Sequence, residues 1–131
     1  MKRYAVVDSS QFPLIRVRFT GEKSTNENFQ LYLKEVERAY DRENKIGILF
    51  DASQATLPGI NHQKMQAQWL KDHKSLMQNY CVGTAYVIPN LVIRNVLKAI
   101  FALQNQPVPY RVCRDVSEAE EWLQAQLMPS K

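Results

Sequence analysis

Asp51-Ala52-Ser53, with His62 nine residues further on, brings a carboxylate, a hydroxyl and an imidazole close together in this 131-residue chain. A serine becomes a nucleophile when a histidine within hydrogen-bond reach takes its proton. Ser53 and His62 are thus the pair on which a small hydrolase would be built. The supporting signatures are missing. There is no Gly-x-Ser-x-Gly elbow, no Walker A loop and no Gly-x-Gly-x-x-Gly turn, and four glycines leave little for a phosphate-cradling loop. Hydrolysis is therefore the weaker alternative, and the expectation is a protein that is not an enzyme. Asp51 has two other uses. It closes an apolar run, and ligand sites of open α/β sheets lie at the carboxyl ends of strands. Equally, an aspartate there accepts main-chain N–H bonds and shapes the following turn. The turn role is favoured for Asp51 and Ser53. Binding of a ligand or partner through Asp51, Ser53, Thr56 and Gly59 is the competing reading.

His62 and His73 lie eleven residues apart, about three helical turns, too far to share a metal directly. No Cys, Asp or Glu stands three or four residues after His62 to complete a ligand pair, so both read as surface histidines. Cys81 and Cys113 have no metal-ligand spacing and read as buried free thiols in a reducing compartment. No metal and no cofactor is expected.

These residues must be positioned by alternating strands and helices. Ile46-Gly47-Ile48-Leu49-Phe50 is a short apolar run of the kind buried on both faces of a parallel sheet. Before it, Tyr4–Val7 and Leu14–Phe19 form a hairpin, the latter strand alternating Ile15, Val17 and Phe19 against Arg16 and Arg18. Thr25 or Asn26 can cap a helix with the stripe Phe29, Leu33, Val36 and Tyr40. A second helix is predicted from Ile60 to Asn79, carrying Met65 and Trp69, whose adaptable apolar surface suits a partner. Cys81–Ile88 is a strand stopped by Pro89, and Asn90 caps a helix from Leu91 to about Asn105. That helix is apolar almost all round, which predicts that it is mostly buried. Its surplus apolar surface is core first, and otherwise the lining of an apolar ligand cavity through Val96, Ile100 and Phe101, or a dimer face. Tyr110–Cys113 is a last strand, and Ser117-Glu118-Ala119-Glu120 reads as a capping box for the final helix. The result is a single α/β domain over 1–131. It has a mixed, mostly parallel sheet of about five strands flanked by about four helices.

A hydrophobic fraction of 45% and a charged fraction of 23% exclude a disordered chain. The net charge of +4 is split between residues 1–20 and 51–106, without a Lys/Arg run or interleaved aromatics, so no nucleic-acid partner is expected. The N-terminus has no apolar segment behind its basic residues, and Leu91–Leu103 is too short to span a bilayer. A cytoplasmic protein without a transmembrane segment is expected.

Three pieces carry a resemblance: Gly47-Ile48-Leu49-Phe50-Asp51-Ala52-Ser53, Gly83-Thr84-Ala85-Tyr86-Val87-Ile88-Pro89 and Ser117-Glu118-Ala119-Glu120-Glu121-Trp122-Leu123. In order and spacing, over nearly the whole chain, they resemble the SpoIIAA-like family of small bacterial proteins, relatives of STAS and CRAL-TRIO domains. The resemblance implies a regulatory protein-interaction module that docks a protein partner or itself around the Asp51–Gly59 loop. Through the CRAL-TRIO kinship it also implies a carrier or sensor of a lipid or other apolar small molecule. Asp51-Ala52-Ser53 matches the first element of the phosphorylation switch of anti-sigma-factor antagonists, making Ser53 the candidate phosphorylation site. The second element, Asp-Ser/Thr-Ser-Gly, is replaced by Gln54-Ala55-Thr56-Leu57-Pro58-Gly59, which leaves only Ser53 and Thr56 as hydroxyls.

Overall fold

The computed structural model describes residues 1–128. Its elements run β1 (Ala5–Asp8), β2 (Leu14–Phe19), α1 (Asn26–Arg38), β3 (Ile46–Asp51), α2 (Ile60–Asp72), α3 (Lys74–Tyr80), β4 (Cys81–Val87), α4 (Leu91–Leu103), β5 (Tyr110–Cys113) and α5 (Val116–Leu127). The five strands lie side by side in chain order, β1 antiparallel to β2 and every later neighbour parallel. The fold is the α/β layout that the alternation of strands and helices implies.

That strand order decides where the helices go. Each parallel strand is added at the same edge, and crossovers between parallel strands are right-handed. All the crossover helices, α1 to α4, therefore fall on one face of the sheet. The opposite face is covered by α5 alone. Two separate cores result. One joins Ile15, Val17, Ile46, Ile48 and Phe50 to Phe29, Tyr32, Val36, Leu70 and Met77 of the helices. The other joins Leu14, Leu49, Ala85, Val87 and Cys113 to Ala119 and Leu123 of α5.

The α5 face is closely packed because two glycines permit it. A Cβ on Gly47 would meet Leu123 Cδ2 at 3.1 Å, and one on Gly83 would meet Trp122 Cη2 at 3.0 Å and the Pro109 carbonyl oxygen at 3.2 Å. Thr25 caps α1 in a reciprocal box with Asn28. At α5 the cap is Asp115, accepting from the Glu118 N–H at 2.9 Å, and Ser117 sits inside the first turn. Aspartate is at least as good a cap as serine, so the helix starts two residues earlier than the Ser117 box suggests.

Two further expectations are corrected. The helix expected over Ile60–Asn79 is two helices, broken at His73, whose backbone leaves the helical region at φ −109° and ψ 17°. At that point the His73 ring is bonded at Nδ1 to the Trp69 carbonyl oxygen and at Nε2 to Glu37 of α1. The apolar α4 is also not mostly buried. Ile100 is its only buried residue, and Leu91, Val92 and Leu103 are 71%, 57% and 57% exposed. Most of its close main-chain neighbours lie in α2, whereas α5 lies directly on β3 and β4. No helix among the described residues is long and apolar enough to cross a membrane.

Candidate ligand-binding cavity

The space beneath α2 and α4 follows from the residues that face it. Phe50 and Tyr86 are register partners on adjacent strands, so their rings fall on the same side about one strand spacing apart. They stack with centroids 5.0 Å apart and planes 9° from parallel. Phe19 extends the row on β2, 6.4 Å from Phe50, and Phe101 of α4 meets the Tyr86 ring edge-on at 6.0 Å. This row of large flat side chains lies between the strands and the α2–α4 pair. What remains is an apolar cavity of about 100 Å³. Its floor is Ile48, Phe50 and Tyr86, and its walls include Tyr32, Trp69 and Leu70. Its cover is the inner side of α4, through Ile93, Val96, Leu97, Ile100 and Phe101.

None of its lining residues is charged. Several polar groups are paired at its edges: Tyr32 Oη donates to Gln66 Oε1 at 3.0 Å, and Gln106 Nε2 donates to Thr84 Oγ1 at 2.6 Å and Tyr86 Oη at 2.9 Å, while Gln106 Oε1 and Tyr40 Oη are buried without a hydrogen-bond partner. Burial pushes the Tyr32 phenol well above its ordinary value and does the same to Tyr86, where the hydrogen bonds from Thr84 and Gln106 act weakly in the opposite sense. These phenols are neutral at any ordinary pH. The chemistry on offer is the binding of an uncharged, largely apolar molecule.

The residues singled out in the sequence divide over this geometry. Thr56, Trp69, Val96, Ile100 and Phe101 line the cavity, while Asp51, Ser53, Gly59 and Met65 do not. Met65 is half-buried against the same core. Asp51 alternates with Phe50 and faces the opposite side of the sheet, beside Arg16, Arg18 and Leu49. Its Oδ1 accepts from the Ser53 N–H at 3.0 Å and the Ser53 hydroxyl at 2.6 Å, so carboxylate and hydroxyl shape the turn. Thr56 Oγ1 donates to the Glu22 carbonyl oxygen at 2.9 Å, and Gly59 is the N-cap of α2 without a side-chain bond.

Ser53 and His62 are not hydrogen-bonded to one another. His62 Nδ1 is 2.8 Å from Ser24 Oγ, its Nε2 is 2.9 Å from Asn26 Oδ1, and its ring stacks on Phe29 at 5.0 Å. A serine, a histidine and an asparagine thus clamp the entry of α1 to the start of α2. His73 likewise stacks on Trp69 at 4.2 Å, so neither histidine is the free surface group that its spacing suggested. Among the described residues no group of three or more His, Cys, Asp or Glu side chains converges on a metal position. Cys81 and Cys113 are buried and unpaired, and burial raises the Cys81 thiol to about 11.

Sequence reasoning missed the floor of the cavity and its two amides, Gln66 and Gln106. Phe50 and Tyr86 each stand next to last in their strands, which signals a shared aromatic row once strand order is known. Gln106, in the loop before β5, carries no such signal. The chain matches no protein-family model, and comparison with curated proteins gives no match.

Proposed function

We propose that this protein is a non-catalytic carrier or sensor of a small apolar molecule, held between the sheet and the α2–α4 pair. The observation that carries this reading is the apolar cavity of about 100 Å³ between the sheet and two helices that pack on each other. Cores normally close to crystal-like density, so an aromatic void in a small domain is a feature to explain. An engineered apolar cavity of roughly 150 Å³ takes up benzene, which puts this one at the scale of a single ring or a short run of methylenes. Opening needs only a small displacement of α4, because few of its side chains are buried. Native mass spectrometry of the gently purified protein, with and without added toluene, tests the reading. A bound mass that leaves on denaturation supports it. A spectrum that stays clean at saturating toluene, together with an unchanged melting temperature, counts against it.

A second reading is the regulatory interaction module implied by the SpoIIAA-like resemblance, with a protein partner or a second copy as occupant. Its support is a surface groove of about 430 Å³ on the β1–β2 half of the α5 face, lined by Val6, Arg16, Arg18, Leu49, Asp51 and Val116. Arg16 pairs there with Glu120 but leaves a buried Nε unbonded. Sedimentation velocity separates the occupants. A dimer abolished by Arg18→Glu supports self-association through this groove, and a monomer at all concentrations contradicts it.

A further inference from the structure

We propose that the ligand is a neutral single-ring molecule bearing one hydroxyl, in the simplest case a phenol, whose hydroxyl bonds to the Gln106 side-chain amide. The inference rests on the cavity being a binding site. Gln106 uses one end of its amide twice, on Thr84 Oγ1 and Tyr86 Oη, while its other end, Oε1, is buried with no partner. Buried polar atoms in folded proteins are nearly always bonded, so this orphaned acceptor, on a residue that lines the apolar cavity, is the group a ligand hydroxyl satisfies once a small turn of the amide opens it to the cavity. Tyr40 Oη is the other buried, unbonded polar atom among the lining residues.

Three further observations narrow the ligand. The volume of about 100 Å³ is on the scale of a single ring. The lining carries no charge, which disfavours an ionised head group such as a carboxylate or phosphate, since a buried charge needs a partner. Phe50, Tyr86 and Phe101 offer stacked and edge-on surfaces to a planar ring. A hydroxyl also suits either orientation of the amide. With Oε1 free it donates, and with the amide turned, so that Thr84 and Tyr86 donate to the oxygen, it accepts from the free NH₂.

The test compares phenol with toluene by calorimetry and methyl NMR, on the unaltered chain and on Gln106→Leu. A purely apolar cavity rejects phenol in favour of toluene, because the hydroxyl loses its water and gains nothing. Here the unaltered chain binds phenol at least as tightly as toluene. Gln106→Leu loses about tenfold in phenol affinity while toluene changes by less than about threefold, as expected when one hydrogen bond is removed. Retained toluene binding also shows that the variant is folded. If the unaltered chain takes toluene and rejects phenol, water serves Oε1 and the hydroxyl inference falls while the cavity reading stands. If neither probe binds, both fall.

Discussion

The two faces of the sheet are built from the same strands and packed in opposite ways. On the α5 face, glycines at positions 47 and 83 let Leu123 and Trp122 close onto the strands, and Leu123 is wholly buried. On the other face, Phe50 and Tyr86 stand three residues further along those strands, and the cavity lies above them. A residue of one strand points to one face and its neighbour to the other, so a single strand can be small where it must pack and large where it must leave room. The α5 face is closely packed at both glycines, and the cavity lies on the other face, within the larger of the two cores.

The sharpest way to break this contrast is a pair of truncations. Leu123→Ala removes a fully buried side chain from a packed layer and is expected to cost about 4 kcal/mol. Ile100→Ala enlarges a space that already exists and should cost less, about 2 kcal/mol. Urea denaturation of both measures the difference, and equal costs would mean that the two faces are equally packed.

Alkaline titration probes the buried hydroxyl and thiol groups of the α1–α4 face. Burial raises the Cys81 thiol from 9.0 to about 11 and the Tyr4 phenol from 10.0 to about 12. The folded chain therefore keeps protons that the unfolded chain releases. Stability is complete below pH 9 and falls as pH rises, by about 1.4 kcal/mol per pH unit for each such group within its window. Urea midpoints at pH 8, 9, 10 and 11 should be level at first and then decline. A level curve to pH 11 would show these groups to be hydrated.

Smaller effects refine the picture. Gly83→Ala should destabilise by about 2 kcal/mol, because the new Cβ meets both Trp122 and the Pro109 carbonyl. Gly47→Ala should cost less, about 1 kcal/mol, since Leu123 can adjust. On the hollow face the sign reverses. Val96→Leu adds a methylene to the cavity and should be neutral or stabilising by about 0.5 kcal/mol, while lowering toluene affinity. Thermal melts and a toluene titration check both halves of that statement.

The α/β class, all five strands and the alternation of strands with helices were legible because strand runs such as Ile46–Phe50 and turn formers such as Pro89 are local signals. The lining residues Val96, Ile100 and Phe101 were legible as a surplus of apolar surface on one helix. The exposure of Leu91, Val92 and Leu103 on the same helix was not, because helical periodicity says which residues share a face and nothing about what covers each face. Ser24 and Asn26, the partners of His62, are 38 and 36 residues away in sequence. Gln106 reaches 20 and 22 residues back to Tyr86 and Thr84. Only strand order brings such pairs together, so proximity in sequence pointed to Ser53 where the fold supplies Ser24.

The most direct test of the central claim is a methyl NMR titration with toluene. Binding in the cavity predicts saturable shifts at Ile48, Leu70, Ile93, Val96, Leu97 and Ile100, with Leu14, Leu49 and Leu123 unmoved. Shifts confined to the α5 face, or none at saturating toluene, would contradict it.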